Sequence, residues 1–262
     1  MSTHILLAGF GSTHPRARAA LERVLDRARA AFPGIPCALA YTSGVVRERL
    51  ARNGEAVPSV AEALDRLRAQ GVDRVAIQSL HVIPGAEFHE LLALANERTL
   101  APGGFARIEV GFPLLAGEQG IERAAEALIA LAPGRRPGEA VLLMGHGSLN
   151  PGNAYYEGLL ASLARRDPSV LVGAMRAEPG LDTVIGRLAA AGARKVYLLP
   201  LLFGAGRHVE NDMQGPDPDS WEAALVRAGI ECEAVAKGAG EYDRLADIWL
   251  DHLRDALERL GR

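Results

Sequence analysis

Seven histidines are spread along the 262-residue chain, and two of them stand in settings suited to chemistry. His146 lies between glycines in Met144-Gly145-His146-Gly147, and His208 follows Ala205-Gly206-Arg207. A neutral imidazole is a base matched to neutral pH and a good donor to borderline transition metals. Flanking glycines let the backbone bend and leave the ring accessible. An internal repeat frames both residues. Ile5-Leu6-Leu7-Ala8-Gly9-Phe10-Gly11-Ser12 matches Val141-Leu142-Leu143-Met144-Gly145-His146-Gly147-Ser148. The stretch from Val75 through Gly85 and Glu87 matches the stretch from Val196 through Gly206 and His208. The second half therefore repeats the first in the same order. Phe10 and Glu87 of the first half correspond to His146 and His208 of the second. Histidine with a carboxylate at such loop tips suits either a transition-metal site or a general base.

Other residues carry weaker signals. His81 lies at a strand end in Gln78-Ser79-Leu80-His81-Val82-Ile83-Pro84-Gly85, where it could meet a ligand or bond nearby backbone. His14 precedes Pro15 at a helix start, where capping competes with a binding role. Gly9-Phe10-Gly11-Ser12 lacks the full GxGxxG pattern, and no acid marks the end of the second strand, which argues against a dinucleotide turn. A hydrolase or isomerase using His146 as base is a rival reading, but the chain has no GxSxG nucleophile motif.

These residues need elements to position them. Short apolar runs alternate with amphipathic helices from end to end. Strands are expected at Ile5–Gly9, Pro36–Tyr41, Arg74–Leu80, Ile108–Phe112, Ala140–Met144, Val170–Met175, Lys195–Leu202 and Glu231–Ala236. Their near-continuous Val, Ile, Leu and Ala content marks strands buried on both faces of a parallel sheet. Pro15 opens a helix whose face carries Leu21, Val24, Leu25, Ala28 and Phe32. Ser59 and Glu62 form a capping box for a helix that Gly71 ends. Asp219 or Ser220 caps the helix of Trp221, with Gly229 as its stop, and a last helix is expected over 242–260. Eight such units fit an eight-fold barrel or two doubly wound domains, and the repeat alone leaves both open. His146 and His208 each follow a strand of the second half, so both should point into one crevice at the carboxyl ends of the strands. The loop-like stretch 132–138 divides the chain into 1–133 and 134–262, with the last helix able to pack back on the first domain.

Composition excludes several classes. Apolar residues make up 48% and charged residues 23%, ordinary for a globular protein and unlike a disordered tail or a collagen. The net charge of −3 gives no bias towards nucleic acid or anionic membrane. Only Lys195 and Lys237 are lysines, so nearly every cation is an arginine, the better fork for carboxylates. Cys37 and Cys232 have no CxxC neighbour, which argues against a zinc ribbon, an iron–sulfur site or a disulfide framework. No apolar run reaches membrane-span length, and the first ten residues read as a strand, so a cytoplasmic location is expected.

Taken together, Phe10-Gly11-Ser12-Thr13-His14, the Gln78–Gly85 segment, Met144-Gly145-His146-Gly147, and Ala205-Gly206-Arg207-His208-Val209-Glu210-Asn211-Asp212-Met213 with Asp219-Ser220-Trp221 resemble the anaerobic sirohydrochlorin cobaltochelatase family. The likeness runs over nearly the whole chain. It implies an α/β fold of two similar doubly wound parallel-sheet domains flanking a central cleft. It implies insertion of Co²⁺ into sirohydrochlorin, an anionic tetrapyrrole, in anaerobic cobalamin biosynthesis, with no organic cofactor. By resemblance His146 is metal ligand and proton acceptor, and His208 is the second ligand. The family glutamate ligand, thirty residues beyond His146, is replaced here by Arg176 in Gly173-Ala174-Met175-Arg176-Ala177-Glu178. If the strand continues past Met175, Glu178 faces the same way and can serve instead. Asn150 stands where relatives often carry a further histidine. Glu87 is the other catalytic carboxylate, and Phe10, His14, His81, Arg176 and Arg207 are the candidate substrate contacts, with Arg16, Arg18 and Arg47 as further cations. Iron or nickel as the metal, and a chelatase-like binding protein without insertase activity, are the alternatives; a homo-oligomer is left open.

Overall fold

The computed structural model describes residues 2–148 and 151–262. The strands β1 (Thr3–Gly9), β2 (Cys37–Tyr41), β3 (Arg74–Ser79) and β4 (Arg107–Gly111) form one parallel sheet in the order β2-β1-β3-β4. A second parallel sheet holds β5 (Glu139–Gly145), β6 (Val170–Ala174), β7 (Lys195–Leu201) and β8 (Glu231–Ala234) in the order β6-β5-β7-β8. Two open sheets of identical topology decide against the closed barrel. The inner strands are apolar because helices cover both of their faces: Ile5, Leu6, Leu7, Val141 and Leu142 are wholly buried.

Helices α1 (Pro15–Ala31), α2 (Gly44–Arg52), α3 (Val60–Ala69) and α4 (Ala86–Leu100) belong to the first sheet's half. Helices α5 (Gly117–Leu131), α6 (Ala154–Arg166), α7 (Leu181–Ala190), α8 (Trp221–Arg227) and α9 (Asp243–Gly261) follow. The α3 capping box forms as expected: Glu62 N donates to Ser59 Oγ at 3.1 Å and Ser59 N to Glu62 Oε2 at 2.7 Å. Ser220 caps α8. In α1 the expected face is buried except for Phe32, which lies one residue past the helix end. Sequence periodicity missed α2, a nine-residue helix with one fully buried side chain, Leu50.

The two compact units do not follow the sequence boundary at 133/134. One unit is Met1–Leu114 with Ala246–Arg262, and the other is Leu115–Leu245. The chain exchanges two helices. Helix α5 joins the second unit, where Glu122 bridges to Arg165 and Arg166 on α6, each at 2.5 Å. Most of α9 joins the first unit. There Trp249 is fully buried and its indole N–H donates to the carbonyl of His81 at 3.1 Å. His252 Nδ1 bonds the carbonyl of Phe112 at 3.0 Å, and Arg259 bonds Glu109 and the carbonyl of Val110, each at 3.0 Å. Each unit has its own apolar core on its sheet, one around Leu6, Ile77 and Phe88, the other around Leu142, Leu198 and Trp221.

Trp249 combines a large buried volume with a directional bond to a strand-end loop. Trp249→Ala should lower the unfolding free energy by about 3–5 kcal/mol, and Trp249→Phe, which keeps a ring but loses the donor, by about 1–2 kcal/mol. Urea unfolding measures both; a Trp249→Phe chain as stable as the parent would show that the indole bond contributes nothing.

Candidate metal centre

The order β6-β5-β7-β8 makes β5 and β7 neighbours, and Gly145 pairs with Leu201 at their carboxyl ends. Their loops therefore leave the sheet side by side at its switch point, the place where open parallel sheets bind ligands. His146 follows β5 directly. A Cβ on Gly145 would lie 2.6 Å from the ring of Tyr156, so only glycine fits there. Gly147 has φ +78°, a left-handed conformation that glycine adopts without strain. The turn is tied to the loop after β6: Met175 N donates to Gly145 O at 3.0 Å and Arg176 N to His146 O at 3.1 Å. Beneath it, buried Tyr156 on α6 accepts from the backbone amides of His146 and Gly147, while burial pushes its phenol up to about 12. Its hydroxyl is thus a neutral brace at neutral pH.

His208 follows β7 in a turn closed by Gly206 N on Gly204 O at 3.0 Å and by Val209 N on Gly206 O at 2.9 Å. A single wide helical turn, Val209–Met213, comes next, and its buried Val209 and Met213 anchor it in the core of the second unit. The rings of His146 and His208 are 5.3 Å apart between centres and inclined at 73°. A metal about 2.1 Å from a ring nitrogen lies roughly 3.2 Å from the ring centre, so two imidazoles on one tetrahedral ion have centres about 5.2 Å apart. The observed separation fits that geometry. The Nδ1 of each ring has a partner: His146 Nδ1 lies 3.1 Å from Gly147 O, and His208 Nδ1 lies 2.8 Å from Asp212 Oδ2. An acceptor at Nδ1 places the proton there and leaves Nε2 as the lone-pair nitrogen.

Glu178 does not join them. Strand β6 ends at Ala174, and the chain bends over 175–179 instead of staying extended. The carboxylate turns to the start of α7, accepting from Gly180 N at 2.9 Å and Thr183 Oγ1 at 2.8 Å. Those bonds hold it below the usual carboxylate range. Among the described residues no group of three or more His, Cys, Asp or Glu side chains is placed to hold a metal ion. Arg176 is exposed on the loop after β6, whose backbone bonds the His146 turn, and Arg207 is exposed on the loop that carries His208. Asn150 lies outside the described residues.

The first unit repeats the backbone with other side chains. Gly11, like Gly147, has positive φ, at +88°, but its neighbour is Phe10, whose ring is 51% exposed. His14 occupies the N-cap position of α1 and makes no side-chain cap bond; its amide donates to Ser12 Oγ at 3.0 Å. Both nitrogens of His81 have partners, Ser79 Oγ at 2.8 Å and Thr42 Oγ1 at 3.3 Å. Its carbonyl accepts from Leu114 N and Trp249 Nε1, each at 3.1 Å. His81 is thus held in place by its surroundings, and the buried polar pair Gln78 and Ser79 belongs to that support. Burial lowers His81 to about 4, partly opposed by the charge of Glu87 in the first turn of α4. Sequence reasoning missed Tyr156, Asp212, Ser79 and Thr42. Only Asp212 had a readable signal, its spacing of four residues from His208.

Comparison with known proteins adds four findings. The family model described as "Cobalt chelatase (CbiK)" matches residues 3–258. The sirohydrochlorin cobaltochelatase CbiKC of Nitratidesulfovibrio vulgaris strain Hildenborough is 43% identical over 257 residues, covering 98% of this chain and 91% of that one. The sirohydrochlorin cobaltochelatase of Salmonella typhimurium strain LT2 is 33% identical over 262 residues, covering 98% and 97%. In fold alone, SirB from Bacillus subtilis with Fe³⁺ is similar, with a TM-score of 0.66 at 16% identity, covering 100% of this chain and 98% of that one.

The low proton affinity of His81 has a signed consequence. The unfolded chain protonates His81 near pH 6.5 and the folded chain only near pH 4. Stability from this group is therefore complete above pH 6.5 and falls as the pH drops towards 4. Between pH 7 and pH 4.5 the loss should be about 2 kcal/mol larger for the parent than for His81→Gln in urea unfolding. Equal losses would overturn the assignment.

Proposed function

The chain belongs to the cobalt chelatase (CbiK) family, and on that premise we propose that it inserts Co²⁺ into sirohydrochlorin in anaerobic cobalamin biosynthesis. The observation that carries the mechanism is the pair of imidazoles 5.3 Å apart at adjacent strand ends. The reaction exchanges two pyrrole N–H protons for one dication. His146 and His208 hold Co²⁺ as substrate through Nε2. The ring nitrogens displace the imidazoles one by one, and an imidazole that has released the metal regains a lone pair. His146 then accepts a pyrrole proton, a transfer suited to an imidazole near neutral pH. Glu87 is our candidate acceptor for the second proton.

Two neutral nitrogen donors hold the ion without offsetting its charge. The deprotonating macrocycle supplies that charge, which drives the transfer forward. The exposed guanidinium groups of Arg176 and Arg207 suit the carboxylates that fringe the tetrapyrrole. Arg176 sits where the family carries a glutamate ligand, and a cation there serves the substrate's carboxylates instead of the metal. Phe10, His81 and His14 are assigned to tetrapyrrole binding in the first unit, Phe10 through its exposed ring face. No helix among the described residues is long and apolar enough to cross a membrane. Cys37 and Cys232 are unpaired and partly buried, as in a reducing cytoplasm, where we place the reaction.

Anaerobic mixing of the protein, sirohydrochlorin and Co²⁺ should change the visible spectrum as the metal enters the ring. His146→Ala and His208→Ala should each slow this at least about 100-fold. Undiminished rates in both would overturn the reading. Arg176→Ala and Arg207→Ala should raise KM for sirohydrochlorin by roughly three- to ten-fold while leaving KM for Co²⁺ unchanged, as expected for exposed charge-assisted contacts. A shift in the Co²⁺ KM instead would place these arginines at the metal.

A further inference from the structure

The two imidazoles are not equivalent. His146 Nδ1 meets a neutral backbone carbonyl, Gly147 O, at 3.1 Å. His208 Nδ1 meets a carboxylate, Asp212 Oδ2, at 2.8 Å. Both members of the second pair are about half exposed, so the contact is not a forced result of burial. It is set by the backbone: the wide turn Val209–Met213 places position 212 beside position 208, and buried Val209 and Met213 fix that turn to the core. A carboxylate holding the Nδ1–H fixes the tautomer and ring orientation and makes the opposite nitrogen a stronger donor. A carbonyl does so less, because a charge-assisted hydrogen bond is about twice as strong as a neutral one.

We propose that Asp212 is a positioning residue: it holds the Nδ1 proton of His208, keeps Nε2 bare for the metal, and makes His208 the anchoring ligand, so that His146 releases the ion first. This rests on the cobalt-insertion reading above. The order has a chemical use. The ligand that lets go first is the first base available to the pyrrole protons, and His146 is that base. His208 meanwhile keeps the ion from returning to water. The proton on Nδ1 stays in place throughout, and the bonds balance: of the four Co–N bonds the ring forms, two replace the imidazole nitrogens and the others replace water on the ion, while the two pyrrole protons pass to bases.

The test compares Asp212→Ala and Asp212→Asn with the parent. Asp212→Ala should weaken Co²⁺ binding by about 10–100-fold, read by calorimetry and by the visible absorption of Co²⁺ titrated into the protein without tetrapyrrole. KM for Co²⁺ should rise by the same factor with kcat little changed. Asp212→Asn keeps an acceptor for Nδ1–H without the charge and should fall between the two. Nitrogen-15 spectra of the imidazoles should show His208 as a single Nδ1–H tautomer in the parent and as a mixture in Asp212→Ala. A purely structural role would lower the melting temperature and leave both the tautomer and the Co²⁺ affinity of the folded fraction untouched. Unchanged Co²⁺ affinity, or an unchanged His208 tautomer, in folded Asp212→Ala overturns the proposal; should Asp212→Ala not fold, the same readings on Asp212→Asn decide it. If the parent binds Co²⁺ and shows the tautomer but never inserts the metal, the insertion reading fails while the positioning role stands.

Discussion

Everything at the candidate centre depends on β5 and β7 being in-register parallel neighbours. The ladder that pairs Gly145 with Leu201 brings two chain exits together at the carboxyl ends of the two central strands. Each exit then needs a sharp change of direction within one or two residues. Glycine at 145 and 147 permits the first, and Gly204 and Gly206 frame the second. The imidazoles of His146 and His208 stand at these two exits, with ring centres 5.3 Å apart. The first unit obeys the same constraint with β1 beside β3, and Gly11 keeps the positive φ of Gly147. Duplication preserved the backbone and changed the side chain: a phenyl ring at position 10, an imidazole at 146. The scaffold sets where a functional group stands; the residue at the turn sets what it does.

The donor set has a consequence for how firmly metal is held. A structural zinc site gains on the order of 10 kcal/mol or more from closed, charged coordination, and such a site would not surrender its ion to a macrocycle. Here the acid nearest in sequence to the β6 loop, Glu178, is engaged at the start of α7 by Gly180 and Thr183. The two imidazoles provide directed lone pairs without net charge. As the proposed ligands, they would orient an ion strongly and retain it weakly, which suits a metal that is substrate and not resident.

Much of this was legible in the sequence, and the reasons differ from element to element. The strands were clear because a run such as Ile5-Leu6-Leu7-Ala8 can only be buried on both faces. The repeat exposed the pairing of Phe10 with His146 and of Glu87 with His208 without any coordinates. The division into units was legible only in part: the last helix was expected to be able to pack back on the first domain, as most of α9 does, but the transfer of α5 was hidden, because an amphipathic helix declares that it has a buried face but not which sheet covers it. Helices α5 and α9 each look the same locally wherever they dock. Periodicity and the repeat left the barrel open for a related reason, since local periodicity is identical in both and only strand pairing distinguishes them; the family likeness pointed to the two sheets that the pairing shows. Glu178 would face the histidines only if β6 continued past Met175; the chain bends there, and its carboxylate finds two donors at the α7 start. Asp212 had a signal in its spacing of four residues from His208, but the turn there has an irregular pitch, so spacing alone did not show the pairing.

Metal choice follows from the same donor chemistry. Imidazole nitrogens bind Fe²⁺, Co²⁺ and Ni²⁺ with affinities that rise along the series, so an imidazole pair on its own favours nickel over cobalt. A site that only passes the ion on is not bound by that order. What matters is the difference between holding and releasing, and a tighter-held ion leaves more slowly. Nickel gains at the first step and loses at the second, while iron does the reverse. Cobalt in the middle of the series suits a two-nitrogen relay, and discrimination then rests on the rate of transfer and on which ion reaches the site, not on a cage shaped to one radius. A third charged donor would shift that balance towards retention. An arginine at position 176, near the His146 turn, supplies no such donor.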